Sequence, residues 1–378
     1  MRKLLVCLGL LAVLALPALA FRPANWVYFN WPWAFDAGSG DWHWFKTNDT
    51  QWVNGFTAGG WRKMPASALA SGWSFYTCPY AYCPANGSWY YINEPDTQWV
   101  VNMRTGVWSR FGTPAGMVLI PGGTNAGTDP DSGAYSLTVT PFYMDKYEVT
   151  KAKWDEVRAW GLTHGYADLP VGGGKGANHP VHSVNWYSVV KWCNARSEME
   201  GRTPAYREQF TISGRPPVYS TYRTGEVDIE ASWLDAAATG YRLPTAVQWE
   251  YAARGGLSGT RFPWGDSIQH SQANYNSDTN NSYDISPTRG THPTYATGGY
   301  PYTSPVGAFA ANGYNVYDMA GNVWEWCFDV LGVGSARRIK GSSWYNSAQG
   351  CRVGSSSNRA TADSDSIIGF RAVLPTAQ

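Results

Sequence analysis

The sequence predicts a loop-rich α+β fold preceded by a small aromatic-rich β repeat domain, and three observations carry that expectation. Only 15% of the 378 residues are charged while another 15% are aromatic, and there are 41 glycines and 21 tryptophans. Low charge with many rings and glycines argues for an ordered chain of strands and irregular loops rather than a helical bundle or a disordered polymer. Residues 21–112 contain an internal duplication. After them, strand patterns mix with three capped helical patterns and then give way to a long loop.

The chain starts with Arg2 and Lys3, an apolar run and Ala18-Leu19-Ala20, the pattern of a secretory signal over residues 1–20 that ends in a small-residue cleavage site. The expected location is secreted or periplasmic. No later stretch is apolar for long enough to cross a bilayer, so no integral membrane segment is expected after signal removal. The formal net charge of +1 gives no electrostatic case for nucleic acid. Removing the signal leaves five cysteines: Cys78, Cys83, Cys193, Cys327 and Cys351. In an oxidising compartment an odd count implies at least one free thiol or an intermolecular bond.

Trp26, Pro32, Gly40, Trp42 and Asp49-Thr50-Gln51-Trp52 recur, at a constant offset of 47 residues, as Trp73, Pro79, Gly87, Trp89 and Asp96-Thr97-Gln98-Trp99. This is a tandem repeat of short hairpins that alternate aromatic with small or polar residues. Such faces stack well on sugar rings, although each indole taken singly is better read as core. Cys78 and Cys83, five residues apart across a Pro-Tyr turn, suit a local disulfide better than a metal site.

Thr113 to Gly116 form a short linker to a domain spanning 117–375. Residues 117–123 read as a buried strand and residues 135–145 as an alternating one. Thr150 caps a helix that runs to Gly161 and presents Trp154, Val157 and Trp160 on one side; Asn185 caps a second, with Trp186, Val189, Val190 and Cys193 on one face and Gly201 as its stop. Residues 202–240 read as a polar, proline-containing insertion. Thr245 and Gln248 form a capping box whose helix Gly255 ends. From 263 to 305 the chain is almost wholly loop and needs support other than hydrogen-bond ladders, for which cations held by carbonyls and Asn or Asp side chains are one means.

Val316 to Cys327 is the stretch with most chemistry. Trp324 and Trp326 bracket Glu325, forcing a carboxylate among groups that favour burial. Three partners are open to it: a hard cation, an arginine, or a fan of backbone N–H groups. The preferred reading is a cation held by Asp318, Glu325 and the carbonyls between them.

Several motifs then occur in one order: Ile-Pro-Gly-Gly at 120–123, Glu-Val-Thr-Lys at 148–151, His-Pro-Val-His-Ser-Val-Asn-Trp at 179–186, Tyr-Arg-Leu-Pro-Thr at 241–245, Trp-Glu-Tyr-Ala-Ala-Arg-Gly-Gly at 249–256, Phe-Pro-Trp-Gly-Asp at 262–266, Asp-Met-Ala-Gly-Asn-Val-Trp-Glu-Trp at 318–326, Lys-Gly-Ser-Ser-Trp at 340–344 and Ile-Gly-Phe-Arg at 368–371. In this order they resemble the formylglycine-generating enzyme, or sulfatase-modifying factor, family over about 117–375. The resemblance implies a C-type-lectin-like fold with little regular structure. It implies two calcium ions, one on Asp318, the Gly321 and Val323 carbonyls and Glu325, the other on Asn274 and the Tyr275 carbonyl. At the second of these Gly298 stands at the family's aspartate position, with Asp278 or Asp284 as substitutes.

The family's oxidase chemistry uses copper(I) held by two thiolates, soft ligands for a soft ion. By the same resemblance Cys351 takes the second thiolate position and Asn346 the first. Ser343, Trp324 and Arg359 match family active-site positions. The family's disulfide positions fall on Ala253, Ser356 and Ala372, so those bridges are absent. An amide is a poor copper(I) ligand, which argues against copper and against oxygen-dependent formylglycine formation. Cys351 is then a free thiol or a disulfide partner, with Cys327 the nearest candidate by topology. The six histidines offer no close helical pair with a carboxylate, so no mononuclear iron site is supported; His179 and His182 read as structural.

Residues 344–366 interleave anchors with Tyr, Asn, Ser, Gly and Asp, the residue types of an adaptable recognition surface. They also resemble the variable region of ligand-binding proteins diversified by retroelements, which share this fold. Asn346, Ser347, Gly350, Ser355, Ser357 and Asp363 are the expected ligand-facing residues, and the expected partner is a protein or glycan. The competing readings are a solvated loop and a working formylglycine-generating oxidase that uses Cys351 with another thiol.

Overall fold

The structure, a computed structural model, describes the backbone of ten strands between residues 26 and 110, and residues 114–376 except 212, 214 and 331–335. The expected signal at 1–20 and the pairing of Cys78 with Cys83 lie outside the described residues. The chain divides into two compact units, Met1–Thr113 and Pro114–Gln378. In the first, β1 (Trp26–Asn30), β2 (Trp33–Asp36), β3 (Asp41–Phe45), β4 (Trp52–Gly55) and β5 (Trp61–Lys63) pair in sequence order. So do β6 (Phe75–Thr77), β7 (Tyr80–Cys83), β8 (Ser88–Ile92), β9 (Trp99–Asn102) and β10 (Trp108–Arg110). Strands β7 to β10 repeat the lengths and spacing of β2 to β5, so sequence repeat and backbone repeat share one period.

The second unit runs β11 (Met117–Ile120), β12 (Gly123–Asp129), β13 (Gly133–Val139), β14 (Phe142–Asp145), α1 (Lys151–Leu162), α2 (Trp186–Met199), β15 (Arg207–Phe210), β16 (Val218–Thr221), α3 (Ala246–Arg254), β17 (Trp324–Val330), β18 (Ala336–Lys340), β19 (Ser357–Ala360), β20 (Ile368–Gly369) and β21 (Val373–Pro375). It is an α+β fold with few helices. The sheet β11-β14-β21 ties the start of the unit to its end, and the sheet β19-β18-β17-β20 carries the candidate site. The alternation at 135–145 is broken into β13 and β14. Pro141 has no N–H to give a ladder, and its ring packs so close to Gly122 that a Cβ there would collide with it.

The helices start where short polar side chains accept the first free N–H groups. Thr150 accepts from Lys153 N, Asn185 from Ser188 N, and Thr245 and Gln248 form a reciprocal box. Gly255, at φ 56°, ends α3 in the left-handed conformation that glycine adopts without strain. Trp154 and Trp192 stack at 5.8 Å between α1 and α2, and Phe370 meets both edge-on. Each such buried ring contributes roughly 2–3 kcal/mol of burial. Trp154, Trp186, Trp192 and Trp326 each give their indole N–H to a backbone carbonyl, so none of these rings leaves a donor orphaned.

Two segments gain detail from the structure. Residues 202–240, largely exposed, are anchored by Tyr206, Tyr222 and Ile229, which are wholly buried. Asn194 of α2 donates to the carbonyls of both Tyr206 and Tyr222 and accepts from Tyr206 N, clamping the hairpin β15–β16 to the helix. The long loop is held largely by side chains acting as backbone partners. Asp284 accepts from Tyr275, Ser277, Ser286 N and Asp278 N, and Asn312 donates to the carbonyls of Ala252 and Ala253 at the end of α3.

His182 is buried with Nε2 unpartnered, and a Cβ on Gly173 would run into its ring. Burial lowers its pKa from 6.5 to about 4, with Asp365 opposing and Lys151 adding to the shift. The folded state therefore holds a neutral ring while the unfolded chain takes up a proton, so this stability is complete above about pH 6.5 and is lost as pH falls towards 4. The buried acids Glu148 and Asp318 push the other way. The expected outcome is that His182→Gln removes on the order of 2 kcal/mol of acid-dependent destabilisation, read as the difference between parent and variant urea midpoints across that window.

Candidate functional site

Glu325 is wholly buried at the head of β17. Arg371 grips it bidentately, Nη2 to Oε1 at 2.6 Å and Nε to Oε2 at 2.7 Å, and Trp249 Nε1 adds a bond to Oε2 at 2.6 Å. Of the three partners open to this carboxylate from the sequence, the arginine is the one the fold brings to both oxygens. Arg371 also donates to the carbonyls of Asp145 and Tyr317. Burial pulls the Arg371 pKa down, but Glu325, Glu148 and Asp318 carry it above its ordinary range.

Two buried oxygens without a partner lie near this pair, on Asp318 and Asn274. Asp318 stands in left-handed backbone, φ 57°, with Oδ2 accepting from Gly307 N at 2.6 Å and Oδ1 buried without a partner. Asn274 Oδ1 is likewise buried and unpartnered. Asn274 and Gly321 are bridged as neighbours, which joins the two sets of expected calcium ligands at one backbone junction. Glu148 accepts from Asn322 Nδ2 and Val323 N. Burial and then the charges of Asp318 and Glu325 push Glu148 well above the usual carboxylate range, and burial brings Asp318 to about 6. Three acids thus lie near one guanidinium in a dry region, and the raised pKa values of Glu148 and Asp318 reflect the cost of ionising all three together. Among the described residues no group of three or more His, Cys, Asp or Glu side chains converges as a metal site, so amides and carbonyls would have to complete the ligand set.

Both alternative carboxylates for the Asn274 site already accept hydrogen bonds in this structure. Asp284 is filled by its four donors and by Arg289 at 3.1 Å, while Asp278 caps its own turn through Asn280. The Tyr275 carbonyl already accepts from His270 Nε2 at 3.2 Å.

Trp324, Ser343 and Asn346 come together through hydrogen bonds, with Cys351 five residues further along the chain. An indole N–H can only donate, so the bond from Trp324 Nε1 at 2.8 Å fixes the Asn346 amide with its oxygen inward, and Ser343 Oγ donates to the same oxygen at 2.6 Å. Asn346 Oδ1 therefore fills the position where the resemblance places the first thiolate. Cys351 is wholly buried, and burial pushes its thiol up to about 12 while the Ser342 hydroxyl works against the shift. That hydroxyl lies beside the sulfur without an aligned hydrogen bond of its own. Cys193, Cys327 and Cys351 are all free, the first of the two states open to Cys351, and Cys327, the candidate partner, belongs to a different core cluster. A single buried thiol, with an amide rather than a second sulfur at residue 346, does not fit a copper(I) ion that needs two thiolates.

The remaining expected residues divide between two places. Ser347 and Gly350 share the turns between Asn346 and Cys351, and Gly350 packs so tightly on Ser342 that no larger residue fits. Ser355, Ser357, Arg359 and Asp363 lie on or beside β19, with Arg359 opposite Arg337 across β18. Among the described residues the Arg359 side chain has no hydrogen bond or ion pair to the Asn346 cluster. Sequence reasoning left Arg371, Trp249 and Glu148 without a role, although each lies inside one of the motifs in Ile-Gly-Phe-Arg, Trp-Glu-Tyr-Ala-Ala-Arg-Gly-Gly and Glu-Val-Thr-Lys.

The sulfatase-modifying factor enzyme 1-like domain matches residues 107–375. The chain belongs to this family. Among its relatives, the chaperone protein LppX of Paenibacillus barcinonensis is 30% identical over 252 residues, 63% of this chain and 81% of its own. The formylglycine-generating enzyme of Thermomonospora curvata is 31% identical over 57% of this chain and 71% of its own. The inactive Cα-formylglycine-generating enzyme 2 of Mus musculus is 31% identical over 62% and 76%. The crystal structure of CarF covers 70% of this chain and 99% of its own at 27% identity, with a TM-score of 0.53. The family thus includes proteins named for the oxidase and proteins named for other states.

Arg371→Met is expected to lower the unfolding free energy by about 3–5 kcal/mol, because it leaves a buried carboxylate uncompensated. Urea titration reads this directly, and the double variant Glu325→Leu with Arg371→Met should recover much of the loss.

Proposed function

We propose that this chain is a secreted or periplasmic member of the sulfatase-modifying factor family that does not carry out copper-dependent oxidation and acts as a calcium-stabilised ligand-binding module. The observation that carries this reading is the Asn346 amide oxygen, held by Trp324 and Ser343 where the first thiolate would stand. The scaffold around it is intact, and relatives named as an inactive enzyme and as a chaperone are compatible with a family fold in other work.

Calcium would be held at Asp318 and at Asn274, whose Oδ1 atoms are both buried without a partner. The Gly321, Val323 and Tyr275 carbonyls would complete the shells, with Glu325 as the anionic wall already paired to Arg371. The ion would offset buried charge and brace a segment without ladders. The competing reading, a formylglycine-generating oxidase, draws on the relatives of that name and on the retained Cys351, Ser343 and Trp324.

Two measurements test this. Incubation with a Cys-x-Pro-x-Arg peptide, copper and reductant is expected to give no aldehyde by mass spectrometry, whereas Asn346→Cys is expected to gain copper(I) binding in a competition assay; turnover by the parent would reverse the conclusion. Calcium at about a hundredfold excess over its dissociation constant should stabilise the parent by about 2.7 kcal/mol. Chelation should abolish that gain and Asp318→Ala should blunt it, both read by calorimetry, and identical melting with and without calcium would remove the ion from the account.

A further inference from the structure

Two large rings stand open to solvent next to Asn346. Tyr300 is 71% exposed and Tyr345 is 58% exposed. Both lean on Trp344, which is itself buried, with ring centroids 5.4 Å and 5.7 Å from it. Tyr302 stacks on Tyr300 at 4.5 Å and meets Trp344 at 5.6 Å. The loop bearing Tyr300 and Tyr302 is pinned by two bonds at and just after Tyr302. Asn274 Nδ2 donates to the Tyr302 carbonyl at 2.8 Å, and Ser304 N donates to Asn322 Oδ1 at 2.9 Å. The open rings are therefore supported from behind, so a ligand meeting them has little side-chain freedom left to freeze.

Asn346 supplies the directional contact. Its oxygen is committed to Trp324 and Ser343, which leaves the two N–H groups of its half-buried amide without a partner among the described residues. A ligand here is met by a hydrogen-bond donor and has to present an acceptor oxygen. The charge at this surface is already spent: Lys175 lies 5.6 Å over the Tyr302 ring, but its ammonium donates to the carbonyls of Tyr295 and Thr297. No carboxylate or guanidinium hydrogen-bonds to Tyr300, Tyr302, Tyr345 or Asn346 among the described residues.

We propose that Tyr300, Tyr345 and the Asn346 amide form a platform for a neutral saccharide, with a pyranose stacked by its C–H face on a tyrosine and a hydroxyl or acetamido oxygen accepting from Asn346. This rests on the binding reading above and names its ligand class. A pyranose combines a flat apolar face with equatorial oxygens, which is the complement of open rings beside an uncharged donor. A proline-rich peptide fits less well. The indole N–H of Trp344 turns inward to the Ser366 carbonyl and that of Trp324 to Asn346, so neither is free for a peptide carbonyl.

Calorimetric titration of the full chain, in calcium, with hexamers of N-acetylglucosamine, glucose (β-1,4) and mannose (β-1,4) tests the assignment. At least one hexamer is expected to bind in the micromolar to millimolar range, and Tyr300→Ala with Tyr345→Ala to weaken it at least about tenfold. Tyr345→Phe should retain binding because the ring remains, and Asn346→Leu should weaken it severalfold. Both tyrosines are exposed, so far-ultraviolet dichroism and a single cooperative melting transition should be retained in the tyrosine variants. Parent affinity surviving in the double alanine variant would move the sugar to the aromatic repeat and overturn the assignment. So would the absence of heat with all three hexamers, or displacement of the sugar by a proline-rich peptide that itself needs Tyr300 and Tyr345. Aldehyde formed on the Cys-x-Pro-x-Arg peptide would instead refute the non-oxidase reading and leave this titration unaffected.

Discussion

The fold of the second unit turns on one ion pair, Glu325 with Arg371, in which neither side chain reaches solvent. Its members reach outward to four segments. Glu325 belongs to β17 and takes the indole N–H of α3, while Arg371 donates to the end of β14 and to the Tyr317 turn. A buried charge pair is weak evidence for stability in itself, since apolar replacements often do as well. Its consequence here is positional. Because bidentate geometry tolerates little displacement, it sets where the loop before β17 runs, and so where Asp318, Asn322 and Trp324 stand.

That placement explains how irregular backbone surrounds an ordered site. The segment between α3 and β17 has no ladder to satisfy its polar groups, and buried N–H and C=O groups left unpaired are expensive. Side chains take over the task. Asp284, Asn312, Asn322 and Glu148 each bond to backbone atoms of this segment. Asp318 Oδ1 and Asn274 Oδ1 remain buried acceptors without a partner in this arrangement. The Asn346 amide follows the same logic, since it accepts from Trp324 and Ser343 where a thiolate pair would need sulfur.

The sequence was most legible where a local signal decides the structure. Thr150, Asn185 and the Thr245 and Gln248 box mark helix starts because capping depends on atoms three residues away. The motif order named the family, and the exchange at Asn346 was visible against it. What stayed hidden involves partners far apart in the chain. Arg371 lies 46 residues from Glu325 and Asn322 lies 174 from Glu148, so no window of sequence contains both. The anchoring of the segment 202–240 was hidden for the same reason: its composition is polar, but Asn194 of α2 bonds to the backbone of Tyr206 and Tyr222.

By itself, then, the chain's order of residues settled the family, the α+β class, the helix caps and the arrival of an amide at a thiolate position, because each depends on residue identity and short-range geometry. Tertiary structure alone decided that an arginine holds Glu325, that Cys351 stays unbonded in a cluster apart from Cys327, and that Tyr300 comes to rest beside Trp344. Those outcomes depend on which distant surfaces exclude water together, and that is a property of the folded interior rather than of any segment.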